Sequence, residues 1–293
     1  MHRSVPLGAV VLSLALLSPT VRGQCATEWQ SLGDIPGVAR DVRVVHHWDP
    51  DGAGPKPPLL VIGGTFTAAG NTVTSNIAAY DPATGSWAPS GEGLSGPADA
   101  MATLPNGDLL VGGTFTMAGS ITVSNVARWN GTYWSSLSFG TGPAGTVKAI
   151  LLMPNGDIVV GGFFTTAGGV PANSIARWNG LTWSALGAGS AGIVNALALL
   201  PNGNIVAGGT FGLSGNHVSQ WNGTTWSVLG AGVDGTVSAL TVMPSGDLFV
   251  AGSFTHAGSL TANRVAKWDG AAWSALGVGT SGAVQAMFAL SNG

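Results

Sequence analysis

Leu110-Val111-Gly112-Gly113-Thr114-Phe115 is one of five versions of a single short stretch. It recurs as Val61-Ile62-Gly63-Gly64-Thr65-Phe66, Val159-Val160-Gly161-Gly162-Phe163-Phe164, Val206-Ala207-Gly208-Gly209-Thr210-Phe211 and Phe249-Val250-Ala251-Gly252-Ser253-Phe254. The aligned phenylalanines lie 49, 49, 47 and 43 residues apart. A second marker keeps step with them: Trp29, Trp87, Trp134, Trp183, Trp226 and Trp273, usually followed by Ser and a Leu-Gly. A period of this length means a chain built of stacked supersecondary units, each unable to bury its apolar face alone.

Each unit divides into four short strands. In the third, Val147–Met153 is an apolar run, Pro154-Asn155-Gly156 turns the chain, and Asp157–Phe164 is a second strand. Ser174–Trp178 follows as the third strand, Asn179-Gly180 turns, and Thr182–Leu186 is the fourth. Asn-Gly between strand-type residues is a strong hairpin signal, because both central positions of the favoured turn need positive φ. It appears again at Asn130-Gly131 and Asn222-Gly223, with Asp269-Gly270 as its equivalent. Four strands in about 49 residues predict an all-β chain folded as a β-propeller of four-stranded blades. Antiparallel pairing of the second and third strands brings Asp108 near Arg128, Asp157 near Arg177, Asp247 near Lys267, and Asn204 near Gln220. Opposite charges and paired amides suit cross-strand neighbours.

Gly63-Gly64 followed by Tyr80 and, seven residues on, Trp87 resembles the kelch motif. The other units keep the small-Gly pair and the Trp but replace the tyrosine with Trp129, Trp178, Trp221 and Trp268. That variant looks like the delta-60 repeats of bacterial propellers and like fungal cortical polarity-marker propellers, over nearly all of residues 26–293. The resemblance implies a non-enzymatic extracellular or surface-attached binding propeller, with no catalytic residues to carry over. A kelch-type copper-radical oxidase would need a Cys–Tyr crosslink and further histidines. Cys25 is the single cysteine, and Tyr80 and Tyr133 sit at blade positions.

The ends of the chain continue the pattern. Trp29 belongs to a fourth strand with no first three before it, and Ala283–Leu290 reads as a first strand leading to Ser291-Asn292-Gly293. The expected fold is therefore five complete blades plus a partial sixth made from the two termini, with a longer parent sequence continuing after Gly293. Residues 1–23 read as a secretory signal: His2 and Arg3, the apolar Leu7–Leu17, a Ser18-Pro19 break and Gly23 at the cut. Residues 24–293 are then one propeller domain, secreted, extracellular or periplasmic.

Composition narrows the partners. Glycine is 47 of 293 residues and charged residues are only 8%, against a usual 25% or so. The net charge is −3, or −5 once Arg3 and Arg22 leave with the signal, and no basic run exists. The electrostatic footprint of a nucleic-acid binder is missing. Eleven apolar-type residues fall short of a membrane span, so neither nucleic acid nor a membrane is an expected partner.

Ten of the eleven tryptophans fit the repeat and are expected to pack the blades. Trp48 is the exception, placed in an extended first turn with His46, His47, Asp49 and Asp51. Those side chains have ligand chemistry, but Asp-Pro-Asp-Gly is turn chemistry, so no metal is expected. The longer loops, such as Met117–Asn125, His256–Asn263 and Gly187–Gly192, share one face, which is the default site for an unknown protein or glycan ligand. His217, in a shortened fourth-unit loop, and His256 in the corresponding loop of the next blade are binding candidates there, with Trp48. Polar residues opening the inner strands, Asp99, Lys148, Asn195, Ser238 and Gln285, point toward the channel, each followed by Ala. No nucleophile elbow or paired-glutamate arrangement appears, and no cofactor motif follows the diglycines. Three readings stay open: a non-catalytic interaction module, a glycan-binding propeller whose aromatics face the long loops, and a hydrolase using channel-lining groups.

Overall fold

The computed structural model describes residues 37–38, 40–52, 54–137, 142–211 and 216–289, all within the unit Pro36–Gly293. Residues 1–23, read as a leader, and Cys25 and Trp29 lie outside the described residues. Every regular element among those described is a strand.

Five antiparallel sheets, each with a path of four strands, follow one another along the chain, and the third carries a short fifth strand, Val170–Pro171, paired with the end of its second. The first comprises Val42–Trp48, Leu59–Gly64, Ile77–Asp81 and Ser86–Pro89. The second comprises Ala98–Thr103, Leu109–Gly113, Val126–Trp129 and Trp134–Ser136. Pro143–Leu152, Ile158–Ala167, Ile175–Trp178 and Trp183–Ala185 make the third. Val194–Leu199, Ile205–Gly209, Val218–Trp221 and Trp226–Val228 make the fourth. The fifth holds Val237–Val242, Leu248–Gly252, Val265–Trp268 and Trp273–Ala275. In each, the four path strands pair in the order in which they occur. Each first strand packs against the first strand of the next blade.

The core follows from the repeat. Phe66, Phe115, Phe164, Phe211 and Phe254 are 0–3% exposed, one beneath each blade. Burying such a side chain contributes roughly 1.5–3 kcal/mol each. The central strands, apolar on both faces, read Leu-Leu-Val-Gly-Gly or its equivalent and are buried throughout in blade two and blade four.

Two features were not in the sequence reading. Within the second-to-third strand loops, short two-stranded hairpins form at Ala68–Ala69 with Thr72–Val73, Met117–Ala118 with Ile121–Thr122, and His256–Ala257 with Leu260–Thr261. Isolated bridges then tie interblade linkers to them, Leu94 to Ala118 and Val233 to Ala257. The long-loop face is thereby clamped rather than loose. The expected first strand Ala283–Leu290 is corrected: residues 281–289 form no ladder, although Val284 N–H donates to Gly252 O at 3.0 Å. An inner strand is held by pairing to the second strand of its own blade, and 283–289 have no such partner among the described residues.

Candidate binding site at the channel mouth

The inner strands carry the site because their pairing slips at the same place in every blade, the third blade having a second slip between Pro143 and Gly145. The register shifts between Val42 and Val44, Ala98 and Ala100, Val147 and Ala149, Val194 and Ala196, and Val237 and Ala239. Each slip leaves one residue opposite nothing, as a β-bulge does. Those residues are Arg43, Asp99, Lys148, Asn195 and Ser238. All five line one cavity of about 640 Å3, together with Val42, Thr236, Ser253 and Gln285. Because inner strands begin at the interblade linkers, this mouth opens on the long-loop face.

The glycine pairs create the slip. A Cβ on the second glycine would meet the backbone of its own inner strand: at Gly113 the Pro97 O at 2.1 Å, at Gly162 the Thr146 O at 2.0 Å. The first glycine faces the next blade instead. At Gly112, Gly161 and Gly208 a Cβ would lie 2.6, 2.5 and 2.4 Å from Val147, Val194 and Val237. Gly63, Gly64 and Gly209 follow the same rule, Gly64 against Asp41 O and Gly63 against Ala98. One glycine thus sets the blade spacing and the other lets the bulge aim a side chain at the axis.

At the mouth, Arg43 Nη1 donates to Asp99 Oδ1 at 3.0 Å. The Asp99 side chain is 8% exposed and its Oδ2 has no hydrogen-bond partner among the described residues. Lys148 makes no ion pair among them either. Asn195 Nδ2 donates to Val237 O at 3.0 Å, leaving its own carbonyl oxygen available to the cavity. Deeper between blades one and two, His46 Nε2 shares a 2.8 Å hydrogen bond with Thr103 Oγ1. Burial, and secondarily His47 nearby, hold the His46 imidazole below its usual pKa, so it is neutral at pH 7.

The sequence reading found Asp99, Lys148, Asn195, Ser238 and Gln285 but missed Arg43. The alanine that marks the other bulges is Val44 in blade one, so the pattern broke there.

The other candidates fall elsewhere. Trp48 is corrected: it ends the first inner strand, is 3% exposed, and its Nε1 donates to Gly107 O of the next blade at 2.8 Å. An apolar ring with one donor is satisfied there, so it is an interblade peg and not a ligand platform. Asp49 and Asp51 do form a turn, Asp51 N–H donating to Asp49 Oδ1 at 3.3 Å. His217 and His256 both fall in second-to-third strand loops, as expected, but at different positions within them. His217 has φ +45° and its carbonyl accepts from Gly209 N–H, the place taken by Asn76, Asn125, Ser174 and Arg264 in other blades. His256 stands where Met117 stands, its Nδ1 2.9 Å from Asp234 Oδ2. There Asp234 clamps the loop as Ser95 Oγ does in blade two, accepting from two backbone N–H groups.

The repeat tryptophans pair across the outer hairpins: Trp129 with Trp134, Trp178 with Trp183, Trp221 with Trp226, Trp268 with Trp273, and Tyr80 with Trp87, ring centroids 5.1–5.5 Å apart. Trp134 Nε1 donates to Ser90 O and Trp226 Nε1 to Leu186 O, each in the linker from the preceding blade. Among the described residues no aromatic lines the axial cavity. Arg128 meets Asp108 and Arg177 meets Asp157 in close ion pairs, Lys267 Nζ lies 3.3 Å from Asp247, and Asn204 Nδ2 donates to Gln220 at 3.2 Å. They are diagonal rather than direct neighbours, since Arg128 is registered with Leu110. None of these groups reaches the channel.

Radially repeated four-stranded sheets around a polar axial mouth define a five-bladed β-propeller. Residues 54–139 match the family model of the Rax2 C-terminal beta propeller domain, and residues 154–179 match that of the beta-propeller domain of unknown function DUF5122. Among solved structures, U3-55K is similar at 14% identity and a TM-score of 0.51, over 80% of this chain. The chain spans 62% of the length of that structure. The extracellular domain of a B. thetaiotaomicron protein described as a one component system aligns at 12% identity and a TM-score of 0.44, over 87% of this chain and 37% of that one. No curated protein matches the sequence. No helix among the described residues is long and apolar enough to cross a membrane.

Proposed function

We propose that the chain is an exported, non-catalytic β-propeller that binds a partner at the channel mouth. The observation that carries this reading is the division of labour among residue positions. Groups that recur from blade to blade, the glycines, tryptophans and Asp–Arg pairs, are consumed by packing and pairing. The bulge residues do not recur in chemistry, yet all five face one polar cavity. Positions relieved of packing but gathered around one space are where a rigid scaffold places recognition. Export rests on the leader pattern of residues 1–23. Two observations support a non-catalytic role: among the described residues Asp99 is the one carboxylate lining the cavity, and it is already tied to Arg43. Among the described residues no three His, Cys, Asp or Glu side chains converge to hold a metal.

The test is a screen of the secreted protein, immobilised, against extracellular glycans and proteins, alongside a triple variant Arg43→Ala, Asn195→Ala, Ser238→Ala. Binding that the triple variant abolishes is the expected result. Binding that it leaves intact, with loss instead on His256→Ala, moves the site to the outer loops. Turnover of a bound substrate overturns the non-catalytic reading.

A further inference from the structure

We infer that the channel mouth selects a small acidic saccharide, a hydroxyl-rich ligand bearing one carboxylate. The inference rests on the binding-module reading above and names the chemistry of its ligand.

Charge gives the first constraint. Among the described residues the lining holds two cations, Arg43 and Lys148, and one anion, Asp99. Arg43 is spent on Asp99 at 3.0 Å, so the cation left for a ligand is Lys148. The complementary ligand therefore carries one negative charge. The second constraint is the Arg43–Asp99 pair: Asp99 Oδ2 is closed off from solvent and without a hydrogen-bond partner among the described residues, so it offers a ligand no acceptor, and an ammonium brought to this corner would sit against the Arg43 guanidinium. Zwitterionic amino acids are thereby disfavoured.

The rest of the wall decides between a sugar and a peptide. Asn195, Ser238, Gln285 and their neighbours offer hydroxyls and amides, which both give and accept hydrogen bonds. Among the described residues Val42 is the single apolar lining residue, and no aromatic lines the cavity. A peptide would bring side chains with nothing apolar to bury against, whereas a polyol matches such a wall group for group. The cavity of about 640 Å3 lies within the range that holds small ligands.

The experiment is titration calorimetry with galacturonate di- and trisaccharides, free galacturonate, the neutral galactose counterparts and an aspartyl dipeptide. The uronates are expected to bind, more weakly as salt rises, with the neutral sugars at least about tenfold weaker, since a single partly buried charge contact is worth that much. Lys148→Gln is expected to abolish the preference for uronate, and Lys148→Arg to restore it. Binding of the oligomers without the free sugar places the ligand at a chain end and still supports the inference. Should Lys148→Gln fail to fold, judged by its near-ultraviolet tryptophan signal, amide shifts of the unaltered protein serve instead: changes at 148, 195 and 238 support the inference, and changes confined to 256–264 overturn it. Equal affinity for neutral sugars, preference for the dipeptide, or no uronate binding each overturns it. In those cases a ligand displaced by the triple channel variant leaves the binding-module reading standing. Shortened uronate chains after incubation would support the ligand class while removing the non-catalytic role.

Discussion

At the level of single residues, the diglycines do two different jobs that the sequence shows as one motif. Gly208 leaves 2.4 Å between an added Cβ and Val237 Cγ1 of the next blade. Gly208→Ala is expected to cost about 1–3 kcal/mol, the usual penalty of overpacking a filled core. The double variant with Val237→Ala should cost less than the sum of the two single changes, because the residues touch; urea unfolding measures both. Asp234 offers a pH prediction. Burial would raise its carboxyl pKa, but hydrogen bonds from the Thr255 and His256 backbones and side chains outweigh that and hold it far below 3.8. A carboxylate with a lowered folded pKa stabilises the protein above its unfolded value and loses that contribution as the solution becomes more acidic. The gap in melting temperature between the native chain and Asp234→Asn is thus expected to be full at pH 7 and to shrink below pH 4 or so. An unchanged gap at low pH would count against the clamp.

Among elements, the outer hairpins and their ion pairs were legible because period and turn chemistry both announce them. Trp129 and Trp134 bound the four-residue turn Asn130–Tyr133 and stand across from each other in register. What escaped was anything without a recurring signature. The small hairpins on the long-loop face contain two-residue strands of Ala, Met, Thr and His, too short for alternation to register. Trp48 was misplaced because Asp-Pro-Asp-Gly directly after it drew the turn boundary forward, when the strand runs through Trp48 and the turn begins at Asp49. Blade four meanwhile shows what the ion pairs are worth. It holds Asn204–Gln220 where its neighbours hold Asp157–Arg177 and Asp247–Lys267, and its strands pair in the same register. Replacing Asp157 and Arg177 together by Asn and Gln should therefore change stability by less than about 1 kcal/mol, since Arg177 is half-exposed and the buried position 157 keeps an amide partner. A larger loss on thermal unfolding would mean the carboxylate is holding more than its partner.

In the whole molecule, blade contacts run only between neighbours, so protection should grade along the arc. Amides of Leu109–Gly113 and Ile205–Gly209 lie in buried central strands, whereas 285–289 lack a ladder. Hydrogen exchange is expected to be orders of magnitude slower in the former, since opening free energies span from near zero to the global value. Comparable rates would show that 285–289 are fixed by something other than pairing. The architecture could be read from the sequence since periodicity is a global signal, but the ligand could not, because the residues that meet it are those the period does not constrain. The register slip has a consequence of its own. It separates the vocabulary of recognition from the grammar of folding: one side chain per blade can be rewritten while every neighbour keeps its place. Randomising codons 43, 99, 148, 195 and 238 together should yield a library whose members nearly all fold and differ chiefly in what they capture.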